Sequence, residues 1–92
     1  MTFSEFLSTR VWCNDISEKI PDAKWEHEPA TPKGYVYCGL LFIEEVQQHW
    51  PTLSRNQVRW HLMIGRQEWI TDNLTFVERK LYEFAVDEGY TV

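Results

Sequence analysis

The chain has only two cysteines, Cys13 and Cys38, in 92 residues, with four prolines and four scattered glycines, Gly34, Gly39, Gly65 and Gly89. Two cysteines form at most one bridge, which excludes a disulfide-stapled scaffold and makes a reduced, cytoplasmic protein the expectation. Whether Cys13 and Cys38 approach each other is left open by their spacing. The dispersed glycines exclude a phosphate-cradling loop: no P-loop, dinucleotide fingerprint or Gly-x-Ser-x-Gly elbow occurs. Long apolar runs are missing too. The longest, "YVYCGLLFI", has nine residues, against the roughly twenty needed to cross a bilayer, so no membrane segment is expected. The opening "MTFSEFLSTR" carries Glu5 and lacks the unbroken apolar stretch of a secretion signal. Basic charge is also scarce, with nine Lys and Arg against fourteen Asp and Glu and a net charge of -5. That balance opposes nonspecific attraction to nucleic acid or anionic membranes and favours a protein partner with a basic surface.

Aromatic residues, by contrast, are plentiful. Trp12, Trp25, Trp50, Trp60 and Trp69 stand among fourteen aromatics, and 43% of the chain is hydrophobic, enough for a core in one domain spanning residues 1–92. "TFSEFLSTRVWCNDISEKIP" begins with Thr2 and Glu5 at capping-box spacing and predicts a helix over 3–20. A Pro-rich loop follows at 21–34. The run 35–43 has no clean period and suits a buried strand or a buried helix; the polar tail "IEEVQQHW" favours one helix over 36–49, with a short strand at 35–39 as the alternative. The segment "TFVERKLYEFAVDEG", with Thr75 and Glu78 at capping-box spacing and Gly89 as a stop, predicts a helix over 75–88.

The segment "PTLSRNQVRWHLMIGRQEWI" admits two readings. Ser54 and Gln57 form a capping box inside a staple of Leu53 and Val58, and Gly65 supplies a stop, which favours a helix over 55–64. Val58, Trp60, Leu62 and Ile64 alternate with Arg59, His61 and Met63, the period of a half-buried strand. With the helical reading preferred, the fold class is mainly α, a compact bundle of about four helices with a short hairpin at 66–71, and α+β is the alternative. The phrase "SRNQVRWHL" resembles the recognition helix of helix-turn-helix proteins. That resemblance implies a nucleic-acid-binding regulator in which Arg55, Asn56 and Arg59 face phosphates or base edges, with Arg66 beside them, and Val58 and Leu62 hold the helix to its support. The contact surface then depends on where Trp60 points.

The residues offer little catalytic chemistry. Cys13, Cys38, His27, His49 and His61 stand in unrelated settings, so no nucleophile and base are paired by spacing. Glu26, His27 and Glu28, or Glu45 with His49, lack the spacing of a dedicated metal site. Adjacent acids such as Glu44 and Glu45 would diverge by about 100° on a helix. The sequence therefore points to a small non-enzymatic interaction domain without cofactor or metal, acting as a regulator, adaptor or inhibitor through an acidic and aromatic surface. The candidate contact residues are Trp25, Glu26, Glu28, Glu44 and Glu45.

Overall fold

Alternation, more than helical period, organises the middle of this chain. A computed structural model describes residues 1–20, 32–50 and 55–91, the side chains of 48–50 and 55–57 excepted. Helix α1 (Phe3–Ser8) leads into β1 (Val11–Cys13) and a 3-10 turn (Ile16–Glu18). Strands β2 (Lys33–Tyr37), β3 (Leu41–Trp50), β4 (Arg55–Ile64) and β5 (Gln67–Thr71) follow, and helix α2 (Leu74–Asp87) closes the fold. The five strands form one antiparallel sheet in chain order. Among the described residues no helix is long and apolar enough to cross a membrane.

Because successive strand residues point to opposite faces, the register sorts the apolar residues into two layers. Tyr35, Tyr37, Leu41, Ile43, Trp60, Leu62, Ile64 and Trp69 share the face that meets both helices, where they join Phe6, Val77, Leu81 and Ala85 in the main core. Val77, Leu81 and Ala85 recur at one helical turn and are all buried, so α2 lays a single stripe on the sheet. On the opposite face Val36, Cys13 and the Ile16 of the 3-10 turn form a smaller cluster, with Phe42 and Ile20 at its margin. β2 pairs with β3 only as far as Glu45, and β5 pairs with β4 only as far as Trp60. The β3–β4 hairpin continues past both, through the Val46–Arg59 and Trp50–Arg55 pairs, with no other strand beside it among the described residues.

The end signals of both helices are real, with one shift. Thr2 and Glu5 make the capping box, each side chain bonding the other's backbone amide at 3.1 and 2.7 Å. Helix α2 is capped by Asn73, whose side chain accepts from the Phe76 amide at 3.1 Å, rather than by Thr75. Past Glu88, the Gly89 amide reaches Val86 and the Tyr90 amide reaches Ala85 at 3.1 and 2.9 Å, the paired bonds of a Schellman ending.

The four-helix bundle is corrected. The last expected helix, 75–88, is present as α2, and the first only in part, as α1. The helix expected over 3–20 stops at Ser8, because Val11, Trp12 and Cys13 pair with Val36, Tyr35 and Gly34. The helices expected over 36–49 and 55–64 are β3 and β4, so the segment that resembles a recognition helix lies chiefly in β4. Residues 35–43 show no period because they hold two strands and the turn between them. Gly65, expected as a helix stop, instead opens the two-residue turn of the β4–β5 hairpin at φ 59°, the first central position where such turns favour glycine. Part of the loop expected at 21–34 is strand too, since Lys33 and Gly34 begin β2.

Gly34 is required by space. A Cβ there would stand 2.1 Å from the Ile43 carbonyl oxygen and 3.0 Å from backbone atoms of Glu44 and Glu45. Because those are backbone atoms paired into the sheet, relief requires the two strands to separate. Gly34→Ala is therefore expected to destabilise the fold by more than about 3 kcal/mol, the range that backbone overlap produces, measured by urea denaturation. A loss within about 1 kcal/mol, ordinary for a strand substitution, would show that β2 and β3 can part there without cost.

Candidate functional site

Two groups of side chains stand out by their chemistry, and they share Arg10. The first is built on Glu78, which falls within the apolar stripe of α2 and is 3% exposed. A carboxylate in such a place is costly unless it is paired and hydrogen-bonded. Tyr37 Oη donates to Glu78 Oε2 at 2.7 Å, and Arg10 Nη1 donates to the same oxygen at 2.9 Å. Tyr37 arrives from β2 and stacks on Phe6 of α1, with ring centroids 5.0 Å apart; Arg10 comes from the link between α1 and β1. Burial first, then the hydrogen bond to Glu78 and its charge, push the Tyr37 hydroxyl far above its ordinary pKa, so it serves as a neutral donor. For Arg10, burial works against the charge, but the hydrogen bond and charge of Glu78 outweigh it and hold the guanidinium protonated.

The second group is an aromatic row at the rim of the main core. Trp12 stands opposite Tyr35 in the β1–β2 register, and their rings meet edge to face at 5.1 Å and 76°. Tyr35 in turn stacks with Trp60 of β4 at 5.5 Å and 27°. The Arg10 guanidinium lies over the Tyr35 ring, 4.8 Å from its centroid, so the cation that neutralises Glu78 also orients the row. Trp12 remains 39% exposed, and its Nε1 donates to Asn14 Oδ1 at 3.0 Å. Glu45 sits across from Trp60 in the β3–β4 register, with Lys33 Nζ 4.0 Å from its carboxylate.

The residues expected to form a contact surface are dispersed or not described. Trp25, Glu26 and Glu28 lie outside the described residues. Glu44 and Glu45 are strand neighbours and therefore occupy opposite faces: Glu44 turns to His61, with Oε2 3.8 Å from Nδ1, and Glu45 turns to Lys33. Arg55 and Asn56 are on β4, Arg59 is partly buried opposite Val46, and Arg66 is exposed in the β4–β5 turn. Arg55 and Arg66 bracket the whole of β4, about 30 Å of extended chain, so these four do not form one patch. Trp60 stacks on Tyr35 across the sheet from Arg59, rather than beside it.

Trp12, Tyr35, His61 and Glu78 are not among the contact residues expected from the sequence, where Glu78 stands only as the capping-box partner of Thr75. Glu78 had a signal, since Leu74, Val77, Leu81 and Ala85 define an apolar stripe with a carboxylate in its middle. Trp12 and Tyr35 had none, because only pairing of β1 with β2 brings them together. Among the described residues no group of three or more His, Cys, Asp and Glu is placed to hold a metal ion. Neither protein-family models, nor curated proteins, nor solved structures match the chain.

Removing the Tyr37 hydroxyl strips one donor from a buried carboxylate while keeping the ring that stacks on Phe6. Tyr37→Phe is expected to cost about 1–3 kcal/mol, the penalty for a buried group left short of a partner, read from the shift in denaturation midpoint at constant slope. A cost near zero would mean that Arg10 alone satisfies Glu78.

Proposed function

We propose that this chain is a non-enzymatic interaction domain, a regulator, adaptor or inhibitor, that grips a protein partner through Trp12, Tyr35 and Trp60 with Glu45 at their side. The observation that carries this reading is the row itself: Tyr35 in contact with Trp12 on one side and Trp60 on the other, with Trp12 at its exposed end. Partly exposed aromatic side chains held in place by their neighbours lose little freedom on binding, which is why such residues dominate contact energies. The net charge of -5 adds a long-range preference for a basic partner. Glu44, on the other sheet face, does not belong to this surface.

A catalytic reading finds less support. Cys13 stands in the same cross-strand row as His61 but three strands away, about 14 Å at normal strand spacing. The Cys38 thiol lies at the β2–β3 turn, 3.7 Å from Thr9 Oγ1. Both cysteines are free thiols, in keeping with a cytoplasmic setting.

A photo-reactive phenylalanine analogue at position 12 should give one discrete crosslinked protein in an extract of the source cells. The same analogue at the exposed Glu83 of α2 should give none; equal yields at both positions, or none at either, would remove the row from the proposal. For nucleic acid, titration of labelled single-stranded and duplex oligonucleotides at low and physiological salt is expected to show no saturable binding. Saturable binding whose salt dependence weakens in Arg59→Ala would instead favour phosphate contacts.

A further inference from the structure

His61 lies on the sheet face turned away from the helices, held between carboxylates from two different strands. Its Nε2 is 2.7 Å from Glu68 Oε1 and its Nδ1 is 3.8 Å from Glu44 Oε2, with the His61 side chain only 10% exposed. Glu44 is the direct cross-strand partner of His61 on β3, while Glu68 reaches it diagonally from β5, where Ile70 is the direct partner. A neutral imidazole has one N–H and one lone pair, so it presents a lone pair to one of the two carboxylates. Only the doubly protonated ring offers a donor to each.

We propose that His61 is a proton-operated clamp that fastens the edge strand β5 to β3 and β4, closed when both ring nitrogens carry protons and loosened when one is lost. Other described groups share this face. Arg59, two residues earlier on β4, adds positive charge on the same side of the strand, and Met63 and Ile70 are apolar and exposed. The 3-10 turn covers the β1–β2 end with Ile16, and its Asp15 carboxylate is taken by the Ser17 amide and hydroxyl.

The electrostatics set the direction of the response. The nearby carboxylate of Glu44, opposed by burial and reinforced by the hydrogen bond and charge of Glu68, raises the His61 pKa above its ordinary 6.5. A base with a raised folded-state pKa contributes stability that is fully present below its unfolded value. That contribution is lost as pH climbs through the folded value. The clamp therefore closes toward mild acid and opens on the alkaline side of 6.5, each unit of upward shift being worth a tenfold factor in the folding constant. What it restrains is the edge strand of the described sheet, whose outer side pairs with no other strand among the described residues.

Three measurements on the full chain test this. Proton NMR of the His61 ring, followed from about pH 5.5 to about 9, spans the window in which histidine charge changes; it should titrate above 6.5, and move down in Glu68→Gln, a change at a half-exposed side chain. Urea denaturation across the same range should show wild type losing stability relative to His61→Gln as pH rises. Protection factors of the β5 amides, which divide out the base-catalysed rise of intrinsic exchange, should fall over that interval in wild type and stay level in His61→Gln. Titration at or below 6.5, or parallel pH profiles for wild type and His61→Gln, would overturn the proposal. Should His61→Gln fail to fold, the ring titration in wild type and Glu68→Gln decides alone.

Discussion

A carboxylate admitted to an apolar interior dictates where its partners stand, and Glu78 has that position here. Its Oε2 receives Tyr37 from the sheet and Arg10 from the N-terminal link, so one oxygen joins α2, β2 and the α1–β1 connection. The need to satisfy that atom explains features that otherwise look unrelated. Tyr37 takes a fully buried place under Phe6; Thr9, next to Arg10, bonds the Cys38 amide at 3.0 Å and ties the β2–β3 turn to the end of α1. Arg10, once drawn to Glu78, is left lying over Tyr35. The aromatic row, exposed at its Trp12 end, thus inherits its orientation from a buried charge.

The two faces of the sheet solve different problems. One is covered by α1 and α2 and packs as a conventional core, in which hydrophobic contact supplies the stability and Glu78 supplies the registration. The other carries Glu44, Arg59, His61 and Glu68 between exposed Met63 and Ile70, and its strands are held by ladder bonds and charged pairs. An antiparallel sheet with one solvated face commonly shows this polar-out alternation. The consequence is an uneven distribution of stability, with β5 depending more on its polar contacts than β3 does, since among the described strands it has a neighbour on only one side.

Local signals were legible where local forces decide. The Thr2 and Glu5 pair, the stripe of α2 and the stop at Gly89 are all interactions within a few residues, and each is in the structure, the α2 cap displaced to Asn73. The hairpin was readable in part: Val58 through Ile64 alternate as a strand does, yet Ser54, Gln57 and Gly65 offered an equally complete set of helix ends. Pairing with Glu44 and Glu45 on one side and Ile70 and Thr71 on the other settles it, and that information is not local. The same holds for the run 35–43, where the turn at Cys38 and Gly39 erases any period, and for Trp12, an aromatic residue whose significance appears only across from Tyr35. Glu44 and Glu45, whose carboxylates a helix would separate by about 100°, part as strand neighbours to opposite faces, one to a histidine and one to a lysine.

The extension of the β3–β4 hairpin beyond its neighbours also has a mechanical meaning. A two-stranded ribbon coils more strongly than a broad sheet and resists torsion less, whereas the five-stranded body behind it is braced by helices. The boundary between soft and stiff regions falls at Glu45 and Trp60, where the outer strands end and where the Tyr35–Trp60 stack is anchored. Torque applied to the paired strands beyond that root would be taken up there, beside the contact between the Tyr35 and Trp60 rings.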